Sequence, residues 1–164
     1  MIAIDLANNA LALLKEPPMD GFDPNGHLAQ RMCYLHYHPT RREVLCAHRW
    51  PFAMKTAVLK PNEPTTAERY SVAHSLPTDA IRVLDVGAAG WNLRGRTIFA
   101  AVDDLQITYT RDEEDLDLWS KAALYAFEHL LAAKMCIPLI NSPTLRQELM
   151  SKYENKLKSI QNQK

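Results

Sequence analysis

Apolar and polar positions change period twice along the chain. From residue 4 to 14, "IDLANNALALL" reads as a short helix, which Pro17 and Pro18 stop. The stretch "MDGFDPNG" is rich in turn formers, and Asp23 before Pro24 suits the cap of a second helix. Leu28, Met32 and Leu35 then recur at helical spacing and give one apolar stripe. Pro39 interrupts that pattern and predicts a kink or restart, with the helix resuming through "TRREVLCAH". Trp50-Pro51 closes it, because the residue before a proline leaves the α region.

In the middle the period becomes two. "MKTAVLK", "RYSVAHS", "AIRVLDV", "RTIFAAV" and "LQITYT" are short, β-branched and often alternating. Turn signals separate them at Pro61-Asn62, Leu76-Pro77-Thr78-Asp79, Gly87 to Gly90 and Asp103-Asp104. "WNLRGRTIF" reads as a hairpin turning at Gly95. This predicts an antiparallel sheet or small sandwich of about five strands.

The end is helical again. From Glu113 to Ala133 one face carries Leu116, Trp119, Ala123, Phe127 and Leu130, with acids at the start to suit the helix dipole. "CIPLINS" is expected to break this helix, and Ser142-Pro143 starts the last one. Leu145, Leu149, Tyr153, Leu157 and Ile160 form its stripe. The fold class is therefore α+β: an antiparallel helical bundle from residues 1–53 and 111–164, with a β domain inserted at 54–110. The expected bundle core is Leu45, Trp50, Phe52, Trp119, Phe127 and Leu130.

Composition narrows the classes. The chain has 164 residues, enough for a buried core, with 19 basic and 19 acidic side chains. That balance gives no broad basic field for nucleic acid. No apolar run approaches the ~20 residues of a membrane span. The apolar start has an early Asp5 and no basic leader, unlike a signal peptide. Three cysteines, an odd number, argue against a disulfide framework and fit a reducing compartment. Charge is unevenly spread: residues 103–117 hold seven acids against Arg111, a local net of −6, and residues 146–164 a net of +3. These segments are either solvated helix ends or surfaces of opposite sign that meet between copies.

Chemistry-bearing residues gather in "CYLHYHPTRREVLCAHRWPF", which places Cys33, His36, His38, Cys46 and His48 close together. Cys33 and His36 share a helical face, but Cys46 and His48 diverge, and the tight turns of a zinc knuckle are missing. The cysteines read as core residues and the histidines as capping or surface groups. "GAAGWNLRG" lies within β structure and opens no helix, so it lacks the setting of a phosphate-cradling turn. "RDEEDLD" reads as solvation of a helix start rather than a pair of catalytic carboxylates. Arg41, Arg42, His48 and Arg49 form only a modest basic cluster.

The order of segments carries more. "ANNALALLKEPPM" precedes "REVLCAHRWPFAMKTAVL", "YSVAHSLPTDAIRVLDV", "WNLRGRTIFA", "LQITYTRDEEDLDLWSKAALYAFEHLLAAKMCIPL" and "LRQELMSKYENKLKSI". The most specific stretches are Arg42-Glu43-Val44-Leu45 with His48, Trp50 and Phe52, and Leu76-Pro77-Thr78-Asp79 leading to Arg82-Val83-Leu84. Over nearly its full length the chain resembles the head-to-tail adaptors of short-tailed bacteriophages, of the tail tubular protein A or gatekeeper type.

That resemblance implies a virion protein of the head-tail junction, made in the host cytoplasm. It implies a homo-oligomeric ring, usually a dodecamer, with the portal protein on one side and the tail nozzle protein on the other. DNA would pass through without sequence-specific binding, and no membrane, cofactor, metal or catalytic residue is involved. The C-terminal segment would dock on the portal, here through Tyr153, Lys156, Leu157, Lys158 and Ile160. The chain is short for that family, which leaves nozzle contacts open. Three alternatives stand beside it: a head-completion or connector protein of a long-tailed phage, a small hydrolase using the acidic run, and a zinc-binding regulator. The strand count between Met54 and Thr110 separates the first, since five strands favour the short-tailed type.

Overall fold

The computed structural model describes residues 1–63 and 71–163. Among them are four α-helices and six β-strands in two small antiparallel sheets, an α+β fold. Two of the expected features reach beyond these residues: Arg69 and Tyr70 of the second expected strand, and Lys164 at the end of the expected docking segment. The chain divides into two compact units, Met1–His48 with Glu113–Lys164, and Arg49–Asp112.

The first unit holds α1 (Ala3–Leu13), α2 (Leu28–Ala47), α3 (Lys121–Ile140) and α4 (Pro143–Gln161). Helix α3 packs against the other three. It is buried on most of its surface, at Ala123, Ala126, Phe127, Leu130, Leu131, Ala132, Ala133, Met135 and Cys136, and its alanines let the neighbouring helices approach closely. By length and apolarity alone α3 could cross a membrane, with a mean hydropathy of 1.4. The expectation that no segment approaches that character is therefore corrected. Here most of its apolar residues are buried inside the fold, as in the core helix of a bundle.

Several boundaries differ from the expectation. The acidic run does not begin α3. It forms an extended stretch and a short 3-10 turn at Leu116–Leu118, and the helix starts at Lys121 under a Ser120 cap whose Oγ accepts from the Ala123 N–H. "CIPLINS" does not break α3 at Pro138. The helix runs on to Asn141, whose φ of 47° ends it in the left-handed region. Pro39 likewise sits inside an unbroken α2, on its exposed side. Asp23 does not cap α2 but closes its own turn on the Asn25 N–H, and His27 is the cap, exchanging hydrogen bonds with Gln30.

The buried face of α2 is the largest departure. It is built from Ala29, Cys33, Tyr37, Thr40, Arg41, Val44 and Leu45. The expected stripe faces the other way, with Leu35 58% exposed and Leu28 also exposed. A chain of rings, Phe22–Tyr37–Phe127–Trp119, runs through the unit with centroid spacings of 5.1, 5.1 and 5.3 Å.

The second unit holds β1 (Met54–Leu59), β2 (Val72–Ser75), β3 (Ala80–Val86), β4 (Asn92–Arg94), β5 (Thr97–Ala100) and β6 (Leu105–Arg111). One sheet has the order β1-β6-β3 and the other β2-β5-β4. Leu59, Ala80, Ile98, Ala100, Leu105, Ile107 and Tyr109 come from both sheets and form one core, the arrangement of a small sandwich. The hairpin at Gly95 forms as expected, with Arg94 opposite Thr97 and the glycine at φ 59°. Its first arm, β4, brings the described strands to six, one more than the expected five. Trp50 and Phe52 were expected in the helical bundle. They belong to this unit, where their rings stack 5.9 Å apart and Trp50 is only 2% exposed.

Candidate assembly surface

The Cys/His segment is dispersed by the geometry of α2. Cys33 is fully buried, its Sγ 3.3 Å from the Met135 sulfur, and burial pushes its thiol up to about 11. His38 turns to the buried Arg41, whose Nη1 lies 2.5 Å from its Nδ1. A guanidinium can only donate, so Nδ1 is the acceptor of this contact. His48 ends the helix in extended backbone. His36 is half-buried, and burial followed by the nearby Lys134 charge holds its pKa down. Among the described residues no three His, Cys, Asp or Glu side chains converge as metal ligands would.

The acidic run is used locally. Glu113 is buried and accepts from the Asp115 N–H, while Asp115 caps the 3-10 turn through the Asp117 N–H. Asp117 pairs with the Met1 ammonium at 2.6 Å, and Glu114 accepts from Arg41 at 3.3 Å. These carboxylates brace neighbouring segments. The glycine loop joins β3 to β4, and its Gly87 N–H bonds back to the Gln106 carbonyl.

The C-terminal docking set is divided by packing. Tyr153 is 7% exposed and faces the bundle, with its hydroxyl pushed up to about 12 by burial and then by Glu43 and Glu154. It is a core residue and is withdrawn from the docking set. Leu157 and Ile160 are half-buried, and Lys156 lies over the Tyr125 ring at 5.1 Å. Of the five, only Lys158 is exposed.

The expected core residues Leu45, Trp119, Phe127 and Leu130 are all buried in the first unit. The surface that sequence patterning missed is the outer face of α2, where Leu28, Tyr34 and Leu35 are exposed beside Arg31 and Arg42. Its signal was the pair of faces on one helix: the Leu28–Leu35 stripe competes with Cys33, Tyr37 and Val44, and both cannot be inside. Apolar side chains grouped on one exposed helix face and flanked by charge make that face a candidate protein interface.

The chain matches no protein-family profile, and no curated protein is significantly similar to it in sequence.

Proposed function

We propose that the chain is a structural virion protein, a ring-forming adaptor that joins the portal to the tail nozzle of a short-tailed phage and extends the DNA channel. The observation that carries this reading is the architecture. A helical unit built from both ends of the chain is interrupted by a β unit, Arg49–Asp112, in the order the resemblance implies. The six strands support it over a head-completion protein of a long-tailed phage, in which the β portion is smaller. The protein works through interfaces, and no catalytic residue, cofactor or metal is assigned. Its partners are the portal, the nozzle and further copies of itself, with DNA passing through without base-specific contact.

Two surfaces suit such contacts: the outer face of α2 and the exposed side of α4 around Lys158. The test is native mass and metal content of the purified chain, alone and with the portal ring from the same source. A metal-free chain that joins the portal in a fixed, ring-like ratio is the expected result. One zinc per chain and no portal association would overturn the reading.

A further inference from the structure

We propose that the groove between α3 and α4 is an oxyanion subsite that takes a phosphate group. Tyr125, Lys152, Asn155, Lys156 and Ser159 line this concavity of about 330 Å³. Lys152 and Lys156 stand one turn apart on α4, so both ammonium groups serve the same face. Lys156 is held there: its Nζ sits 5.1 Å from the centre of the Tyr125 ring, a cation–π contact. The ring is itself backed by His129, stacked at 3.9 Å and 21°. The buried His129 donates Nδ1–H to the Tyr125 carbonyl at 2.8 Å, and burial holds its pKa down, so it braces the aromatic wall as a neutral ring.

The donor balance names the ligand. The Ser159 hydroxyl is spent on the Lys156 carbonyl at 2.8 Å. The two ammonium groups, the Asn155 amide and the Tyr125 hydroxyl supply donors. Among the described residues no carboxylate lines the groove. Glu128, the acid of α3 next to Tyr125 and His129 in helical register, accepts from the Asn9 amide on α1 at 3.0 Å. Glu148 precedes Lys152 by one turn and is not part of the lining. Two positive charges, one of them held by the Tyr125 ring, with neutral donors and no acid among the described lining residues match a tetrahedral anion with several acceptor oxygens. The chain has no net charge, so any attraction for such an anion is local to this face. The phosphate comes either from a nucleic-acid backbone or from free inorganic phosphate. The site does not depend on the adaptor reading, because it is tested on the isolated chain.

The experiment is an amide NMR titration of the full chain with inorganic phosphate and, separately, with a short duplex DNA. The expected result is movement of the Lys152, Asn155, Lys156 and Ser159 amides. A response to both probes identifies a general phosphate site, and a response to DNA alone identifies a backbone contact. Lys152→Gln with Lys156→Gln should weaken DNA binding about tenfold and lower the salt-dependence slope by about 1.8. Arg146→Gln, on the same helix but outside the groove, should leave both unchanged. Should the double variant melt early, Lys152→Gln alone is read, since that side chain is exposed. Groove amides that respond to neither probe would overturn the proposal. So would an Arg146→Gln loss as large as that from either groove lysine, because binding would then be diffuse.

Discussion

Trp119 and Phe127 pack ring against ring, 5.3 Å between centroids and 35° between planes, although only Phe127 belongs to α3. The indole N–H donates to the Glu113 carbonyl at 3.2 Å, so Trp119 ties the acidic segment to the helix that follows it. Both residues are buried. Trp119→Ala should cost about 3–5 kcal/mol in unfolding free energy. Trp119→Phe keeps the ring contact, loses the donor and should cost about 1–3 kcal/mol. Urea unfolding followed by circular dichroism measures both. A Trp119→Ala chain as stable as the parent would contradict this packing.

Arg41 is 1% exposed, and its partner Glu114 has a side chain 72% exposed. The two ends of this pair should therefore respond unequally. Arg41→Ala empties a large buried volume and should destabilise by about 2–4 kcal/mol. Glu114→Gln changes a solvated group and should cost about 1 kcal/mol or less. Equal losses in the two variants would mean that the charge pair, and not the packing of the long side chain, sets the cost.

His129 and His36 both have pKa values held below the usual 6.5, with burial the largest cause. Below pH 6.5 the unfolded chain binds protons that these native rings refuse. Stability then rises with pH across that interval and is lost as the pH falls from 6.5 toward the native pKa values. The urea midpoint should fall between pH 7 and pH 5, and His129→Gln should fall less steeply. A His129→Gln slope identical to the parent's would remove His129 as a source of the acid sensitivity.

Cys33 is fully buried, with its thiol raised to about 11, and Cys136 is also buried. A thiolate is the reactive form, so Cys33 should be inert toward Ellman's reagent in the native chain, and Cys136 should be shielded by its burial. Cys46, half-buried near the end of α2, should react first. All three should react in urea. Rapid native labelling of Cys33 would show that α2 opens locally at that turn.

Leu35 is 58% exposed in the middle of α2 and contributes nothing to the bundle's core. Leu35→Glu should leave stability within about 0.5 kcal/mol of the parent. In the adaptor reading it should weaken association with neighbouring copies or the portal, measured by native mass spectrometry. Unchanged assembly would assign the contacts to another face.

The sequence by itself determined the order of elements and their chemistry of termination. Period-two runs, the Gly95 hairpin, the Ser142-Pro143 start and the apolar burial of Leu45, Phe127 and Leu130 follow from local stereochemistry and hydrophobicity, which act over a few residues. Only the tertiary structure decided which face of α2 lies inside, because that face includes Thr40 and Arg41. A guanidinium is tolerable there because its donors find acceptors, among them His38 on the same helix and Glu114, 73 positions away in the chain. The same holds for Trp50, which local pattern assigned to the helices and the fold assigned to the β unit, and for Tyr153, drawn from the docking segment into the core. The α3–α4 groove was equally out of reach. Lys152 and Lys156 are visible as a spaced pair, but the Tyr125 wall comes from another helix, and distance along the chain does not encode distance in space.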